Sequence, residues 1–418
     1  MEADLIIKNI GNLVTMRGTN GPRIKEEMNN IEILKNAYVA VKNGKILDIG
    51  QGHIMDKLIG KNTEIHDAKG LTVTPGLVDS HTHLVHGGSR ENEFALKISG
   101  VSYIDILKRG GGILSTVKST KEASFDELYN KAKKSLDIML EYGVTTVEAK
   151  SGYGLEFDTE VKQLKVAKKL NENHPVDIVS TFLGAHAVPI KYKENPDEFV
   201  DIVIEMLPKV KELAEFVDVF CEEGVFSVDQ TKKILQRAKE IGYKLKLHAD
   251  EIVPIGGAEL AAELKAISAD HLMAASENGM KLMAENKVIA NILPGTSFNL
   301  MKDYANARKM IEVGVAVSLS TDYNPGSCPT ENIQFIMQLG SLALNMTPSE
   351  VLTAVTINGA YAVDKADEIG SIEVGKKADL VVFDAPNIEY IIYHFGINHV
   401  YRVYKEGKLV VDDRRIVY

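Results

Sequence analysis

The feature that most constrains this chain is an alternation, across its middle, of short apolar runs with longer amphipathic segments. The runs are LVDSHTH (77–83), VTTVEA (144–149), DIVSTFLGAH (177–186), FVDVFCE (216–222), KLKLHAD (244–250), ISADHL (267–272), VIANILP (288–294) and VAVSLSTD (315–322). Each has the length and the apolar content of a buried strand. Between them lie segments with apolar residues at helical spacing, among them SFDELYNKAKKSLDIMLEYG, DTEVKQLKVAKKLNEN, SVDQTKKILQRAKEIG and SENGMKLMAENK. Ser124 followed by Glu127 predicts a capping box, and Gly143 a helix stop. Strands that alternate with helices predict a parallel sheet, and eight such units predict an α/β fold of the (β/α)₈ barrel type over residues 74–365.

The flanks have a different grammar. From Asp4 to about Val73, the runs LIIKNI, AYVAVKNGKILDIG and LTVTPG are broken by Gly, Asn and Pro, and GSIEVGKKADLVVFD and HVYRVYKEGKLVV repeat that habit near the C-terminus. A small composite β-sandwich domain built from both chain ends, 1–73 plus 366–418, accounts for this. The charged stretch 18–32 is expected to be a loop.

Charge narrows the partners. With 48 Lys and Arg against 58 Asp and Glu, the net charge is −10, which disfavours nucleic acid and anionic membranes and leaves a small-molecule ligand. Only Cys221 and Cys328 are present, too few for a disulfide framework, and the start MEADLIIKNIGNLV lacks a basic segment followed by an apolar one. A reducing, cytoplasmic location is expected.

Five of the 11 histidines (His81, His83, His186, His248, His271) and Asp322 stand at or just past the C-terminal ends of the expected strands, the end where such barrels carry their chemistry. His81 and His83, two apart on a strand, point the same way and can share one ion. With His248 and Asp322 they offer three nitrogens and a carboxylate, which suits one Zn²⁺, with Fe or Mn as alternatives. Taken singly, the His-x-His pair is equally an incidental polar strand end, His248 a buried structural histidine and Asp322 a helix N-cap before Tyr323. Their conjunction points to metal. An ion there lowers the pKa of water toward ~7, so hydrolysis is the natural use.

Glu251, His271 and Asp322 are the candidates for catalysis, Glu251 as proton acceptor and His271 to orient water or assist proton transfer. A first-turn helix carboxylate and a buried, hydrogen-bonded histidine are the bland alternatives for the first two. Lys150 also follows a strand, either as a modified bridge between two metals or as an ion-paired lysine; one metal is favoured. Cys221 is a weak candidate ligand.

At VTPGLVDSHTHLVHGGSR, HADE, SADHL and STDYNPGS the sequence resembles the amidohydrolase superfamily. RENEFALKISGVSYIDILKRGGGILSTV, VEAKSGYGL and FLGAHAVP extend the resemblance, along essentially the whole chain, to the branch that opens a cyclic amide in histidine degradation. That resemblance implies hydrolysis of 4-imidazolone-5-propanoate to N-formimidoyl-L-glutamate, and a homodimer. It assigns Arg90 to the substrate's propionate, and Tyr103, Tyr153, His186, Glu251, Asn324, Gly326 and Ser327 to the rest of the binding site. Without it, Arg90 is a loop charge paired with Glu91 or Glu93, the tyrosines are packing residues, and 324–326 is a turn. Two other readings stay open: another cyclic-amide hydrolase or deaminase of the superfamily, and a non-catalytic scaffold.

Overall fold

The computed structural model describes residues 1–18, 20–101, 105 and 109–418. Eight strands follow one another in a parallel sheet: β1 (Leu77–Asp79), β2 (Val144–Lys150), β3 (Asp177–Ala185), β4 (Phe216–Cys221), β5 (Lys244–Ala249), β6 (Ser268–His271), β7 (Ile289–Ile292) and β8 (Val317–Leu319). Seven lie within the apolar run that predicted them, and β2 runs one residue further, to Lys150. The sheet closes into a barrel just past the tips of β1 and β8, where Thr82 bridges Tyr323 in parallel. There the Asp322 N–H donates to the His81 carbonyl at 3.1 Å and the His83 N–H to the Tyr323 carbonyl at 2.9 Å. Below this bridge the Asp79 carboxylate accepts from the Thr321 amide (3.0 Å) and hydroxyl (2.6 Å).

Helices wrap the barrel where the sequence supplies caps. Helix Phe125–Glu141 opens on Ser124, whose hydroxyl accepts from the Glu127 amide while Glu127 accepts from the Ser124 amide, and Gly143, with φ of 93°, lies beyond its end. Helix Val228–Ile241 repeats the device with Ser227 and Gln230 and stops at left-handed Gly242. Each cap is worth about 1 kcal/mol. The apolar face contributes more: Leu128, Leu136, Met139 and Leu140 are buried against the sheet, and truncating one such leucine costs about 2–5 kcal/mol.

Both chain ends meet in a second, nine-stranded sheet. Strand Thr72–Pro75 runs parallel to Leu5–Val14 on one side and antiparallel to Leu380–Phe383 on the other, so the residues leading into the barrel are clasped between N- and C-terminal segments. Alternate residues of Leu5–Val14 face different apolar clusters: Leu5 and Ile7 join Val39, Val73 and Leu380, whereas Ile6 joins Tyr38 and Ala40. The stretch 18–32, expected as a loop, holds a short 3₁₀ helix, Lys25–Asn29, with Met28 buried. Among the described residues no helix is long and apolar enough to cross a membrane.

Candidate active site

The strand tips bring the predicted side chains together. The rings of His81 and His248 lie 4.7 Å apart between centroids, and those of His81 and His83 5.5 Å. Ligand atoms of His81, His83 and Asp322 all fall within 4.8 Å of one another; those of His81, His248 and His271 form a second such group, and those of His83, His186 and His248 a third. Asp322 reaches the cluster from a backbone with φ of 54°, not from a helix N-cap.

Carboxylates behind the histidines fix which nitrogen faces the cluster. Asp270 lies 2.6 Å from Nδ1 of His81, and Asp218 3.0 Å from Nδ1 of His248, leaving both Nε2 atoms turned forward. The Thr296 hydroxyl donates to Oδ2 of Asp322 at 2.5 Å, which leaves Oδ1 free. Burial drives the imidazoles of His81, His83 and His271 well below their usual pKa, so they are neutral, the form a metal ligand requires. Burial also pushes Asp322 up to about 6.

The cluster fits a cation. Among the described residues, His81 Nε2, His248 Nε2 and Asp322 Oδ1 are buried without a hydrogen-bond partner, as are His83 Nδ1 and His271 Nδ1 beside them, and His83 turns its Nε2 toward Asp322 at 3.6 Å. Each unsatisfied group costs about 1–3 kcal/mol, a heavy concentration against a total stability of roughly 5–15 kcal/mol. An ion bound by three nitrogens and a carboxylate offsets much of it.

The remaining predicted residues surround this centre. Glu251 lies in the loop after β5, ahead of the helix at Gly257–Leu264, with its carboxylate 3.8 Å from Nε2 of His271. Burial, aided by the charge on Asp322, pushes Glu251 up to about 7. His186 stacks on His83 at 4.8 Å, and Tyr153 packs 5.5 Å from His83 and 5.2 Å from His186. Arg90 forms a salt bridge with Glu93 at 2.9 Å, the pairing its sequence neighbours offered. Its guanidinium also lies against Gly326, where an added Cβ would fall 2.1 Å from Nη1. The Asn324 side chain is committed to a turn, its oxygen accepting from the Gly326 and Ser327 amides and its nitrogen donating to the Asp322 carbonyl; what the segment presents outward is therefore mainly backbone. Tyr103 lies outside the described residues. Lys150 is buried and ion-paired, with Nζ 2.7 Å from Asp218 and 2.9 Å from Glu148. The Cys221 thiol is pushed up to about 11 by burial, which leaves it a poor source of thiolate.

The sequence reading missed Asp218, Asp270 and Thr296, which orient the cluster, and Glu222, whose carboxylate accepts from the Ile252 amide at 2.8 Å and anchors the loop carrying Glu251. A signal existed for the two aspartates: each interrupts an apolar strand, FVDVF and ISADHL, and a buried carboxylate needs partners.

The model described as Amidohydrolase family matches residues 72–410. The chain is 63% identical to the imidazolonepropionase of Alkaliphilus metalliredigens, covering 100% of both proteins. To that of Fusobacterium nucleatum it is 60% identical, covering 98% of this chain and 99% of the relative. Among solved structures, a zinc-bound adenosine deaminase from Xanthomonas campestris superposes with a TM-score of 0.74 at 18% identity, covering 100% of this chain and 94% of that one. A mutant atrazine chlorohydrolase from Arthrobacter aurescens, complexed with zinc and atraton, gives 0.74 at 15%, covering 99% and 96%. At such identities the two structures testify to the fold alone, whereas the full-length matches place this chain in the amidohydrolase family and, within it, among the imidazolonepropionases.

Proposed function

We propose that this chain hydrolyses the cyclic amide of 4-imidazolone-5-propanoate to N-formimidoyl-L-glutamate, using water activated at the His81, His83, His248 and Asp322 cluster. The convergence of unpaired buried ligand atoms at the barrel mouth carries the reading of the chemistry; kinship with imidazolonepropionases along the full chain carries the substrate. Membership of the family implies a metal cofactor, for which three imidazoles and a carboxylate favour zinc, with iron as the alternative. When bound, that ion supplies Lewis acidity at the ring carbonyl and lowers the pKa of water toward ~7.

The chain's own residues supply the rest. Glu251, within reach of His271, accepts the proton of the attacking water as its oxygen bonds to the ring carbonyl carbon. The carbon–nitrogen bond then breaks, and Glu251 returns the proton to the departing nitrogen. His271 donates to or orients the water, and Asp322 takes part in proton movement. Arg90 binds the propionate, for which its forked guanidinium is suited. Tyr153, His186 and Tyr103 hydrogen-bond the ring or the carboxylate, and Asn324, Gly326 and Ser327 form the facing wall.

The catalytic unit in this reading is 74–365, with 1–73 and 366–418 as the composite β domain. Two free, buried cysteines accord with a cytoplasmic enzyme. Exposed Leu342, Tyr393, Phe395 and Ile397 offer apolar surface for a homodimer. The test is turnover of freshly prepared 4-imidazolone-5-propanoate, scored by N-formimidoyl-L-glutamate and corrected for spontaneous decay. Product that vanishes on chelation and returns with metal is expected. A metal-loaded sample that makes none would remove the substrate assignment and leave the fold and the cation site standing.

A further inference from the structure

The SGYGL segment follows β2 and carries Tyr153 to the edge of the histidine cluster. Gly152 has φ of 106° and Leu155 φ of 54°, and while the Ser151 amide bonds to the Thr181 carbonyl, the amides of residues 152–155 bond to side chains. Glu160, in the first turn of helix Phe157–Asn173, is fully buried. Its carboxylate accepts from the amides of Gly152 (3.0 Å), Gly154 (2.7 Å) and Leu155 (2.8 Å). Gln163 lies three residues on, on the same helix face. Its oxygen accepts from the Tyr153 amide at 3.2 Å, and its nitrogen donates to the Val85 carbonyl at 2.6 Å. Two side chains thus hold four consecutive amides, and one of them reaches the segment that follows His83.

The glycines obey the same arrangement. A Cβ on Gly154 would fall 2.5 Å from the Glu160 amide nitrogen and 2.8 Å from its carboxylate, and one on Gly152 would fall 2.9 Å from Nδ1 of His186. Three backbone donors around a buried carboxylate are a demanding geometry, because an amide in its place turns an NH₂ toward an N–H. They fix the backbone on both sides of Tyr153 and hence where its phenol points.

We propose that Glu160 and Gln163 are positioning residues for substrate recognition, setting the Tyr153 hydroxyl through the four amides of residues 152–155. The proposal rests on the reading of Tyr153 as a substrate-binding residue. Neither side chain touches the metal cluster, so their effect falls on substrate affinity and leaves metal content intact.

The experiment is a double-mutant cycle in steady-state kinetics on the metal-loaded enzyme, with metal content and thermal unfolding as parallel readouts. Glu160→Gln and Gln163→Met are each combined with Tyr153→Phe. Expected are a roughly tenfold rise in KM for each single variant, about the worth of one hydrogen bond, with kcat and metal content near wild type and no further rise in KM on adding Tyr153→Phe. If Glu160→Gln fails to fold, Gln163→Met carries the test. Effects that add in the double variants, or that fall on kcat and metal content, overturn the positioning role. An unchanged KM in Tyr153→Phe overturns the substrate role of Tyr153 and the proposal with it; a raised KM there, with both helix variants at wild-type KM, overturns the proposal alone.

Discussion

The two ends of the barrel contain similar side chains in opposite states. At the N-terminal end, cations and carboxylates are matched: Lys405 lies 2.8 Å from Asp177 and 2.6 Å from Asp379, Lys377 2.9 Å from Asp177, and Lys365 2.9 Å from Glu215. The Lys405 and Lys377 pairs tie the start of β3 to the composite sheet, and a cavity of about 170 Å³ there has Asp177, Glu215, Lys365 and Lys377 in its lining. At the C-terminal end, among the described residues, five buried nitrogens and oxygens have no partner. One end spends its polar groups on joining two domains, and the other keeps them for a ligand, the division of labour expected of this architecture.

The strongest way to break the comparison is to remove a ligand from the open end. His248→Ala should lose bound metal and fall to background turnover, as read by metal analysis and product formation. Full metal content in that variant would mean the cluster was assigned wrongly. Glu251→Gln should bind metal normally yet lose about 10²–10⁴ in kcat; unchanged turnover would remove it as the base. One layer back, Asp218→Asn should weaken metal binding about 10–100-fold, measured by competition with a chelator, since Asp218 fixes the tautomer of His248.

Proton linkage sharpens the contrast further. Burial raises Glu251 to about 7 in the metal-free protein, so its contribution to stability is present below its unfolded pKa, near 4.5, and is lost as pH rises through 7. Metal-free wild type should therefore lose about 2–3 kcal/mol relative to Glu251→Gln between pH of about 5 and 8, followed by denaturant unfolding. A difference that stays flat would mean the carboxylate is solvated. The smallest effect belongs to the closed end: Lys377→Met should cost about 1 kcal/mol of stability, because its partners are partly exposed, and leave kcat/KM at its wild-type value.

Local sequence carried much of this. Eight apolar runs gave eight strands because burial on both faces makes a barrel strand a nearly unbroken apolar run. Polar residues at their ends stood out against that background, so His81, His83, His248 and Asp322 were visible without neighbours. What pairs with them was not: Asp270 backs His81 from 189 residues away, and Thr296 reaches Asp322 from the short helix Pro294–Leu300 that follows β7. Such contacts come from closure of the barrel, which no short window records. The eighth strand also ends earlier than its run, at Leu319: the Ser320 amide still donates to the Ile292 carbonyl of β7, but the amides of Thr321 and Asp322 turn away to the Asp79 carboxylate and the His81 carbonyl.

That early exit has a consequence for how the molecule assembles. Backbone bonds join the first and eighth strands just beyond their ends, through residues 81–83 and 322–323, with Asp79 and Thr321, 242 positions apart, locking the join from below. The seam of the ring therefore carries three of the four candidate ligands, His81, His83 and Asp322. Contacts this distant in sequence are slow to form, so the cluster matures as the cylinder zips shut, and any breathing motion that parts the seam also scatters the ligands.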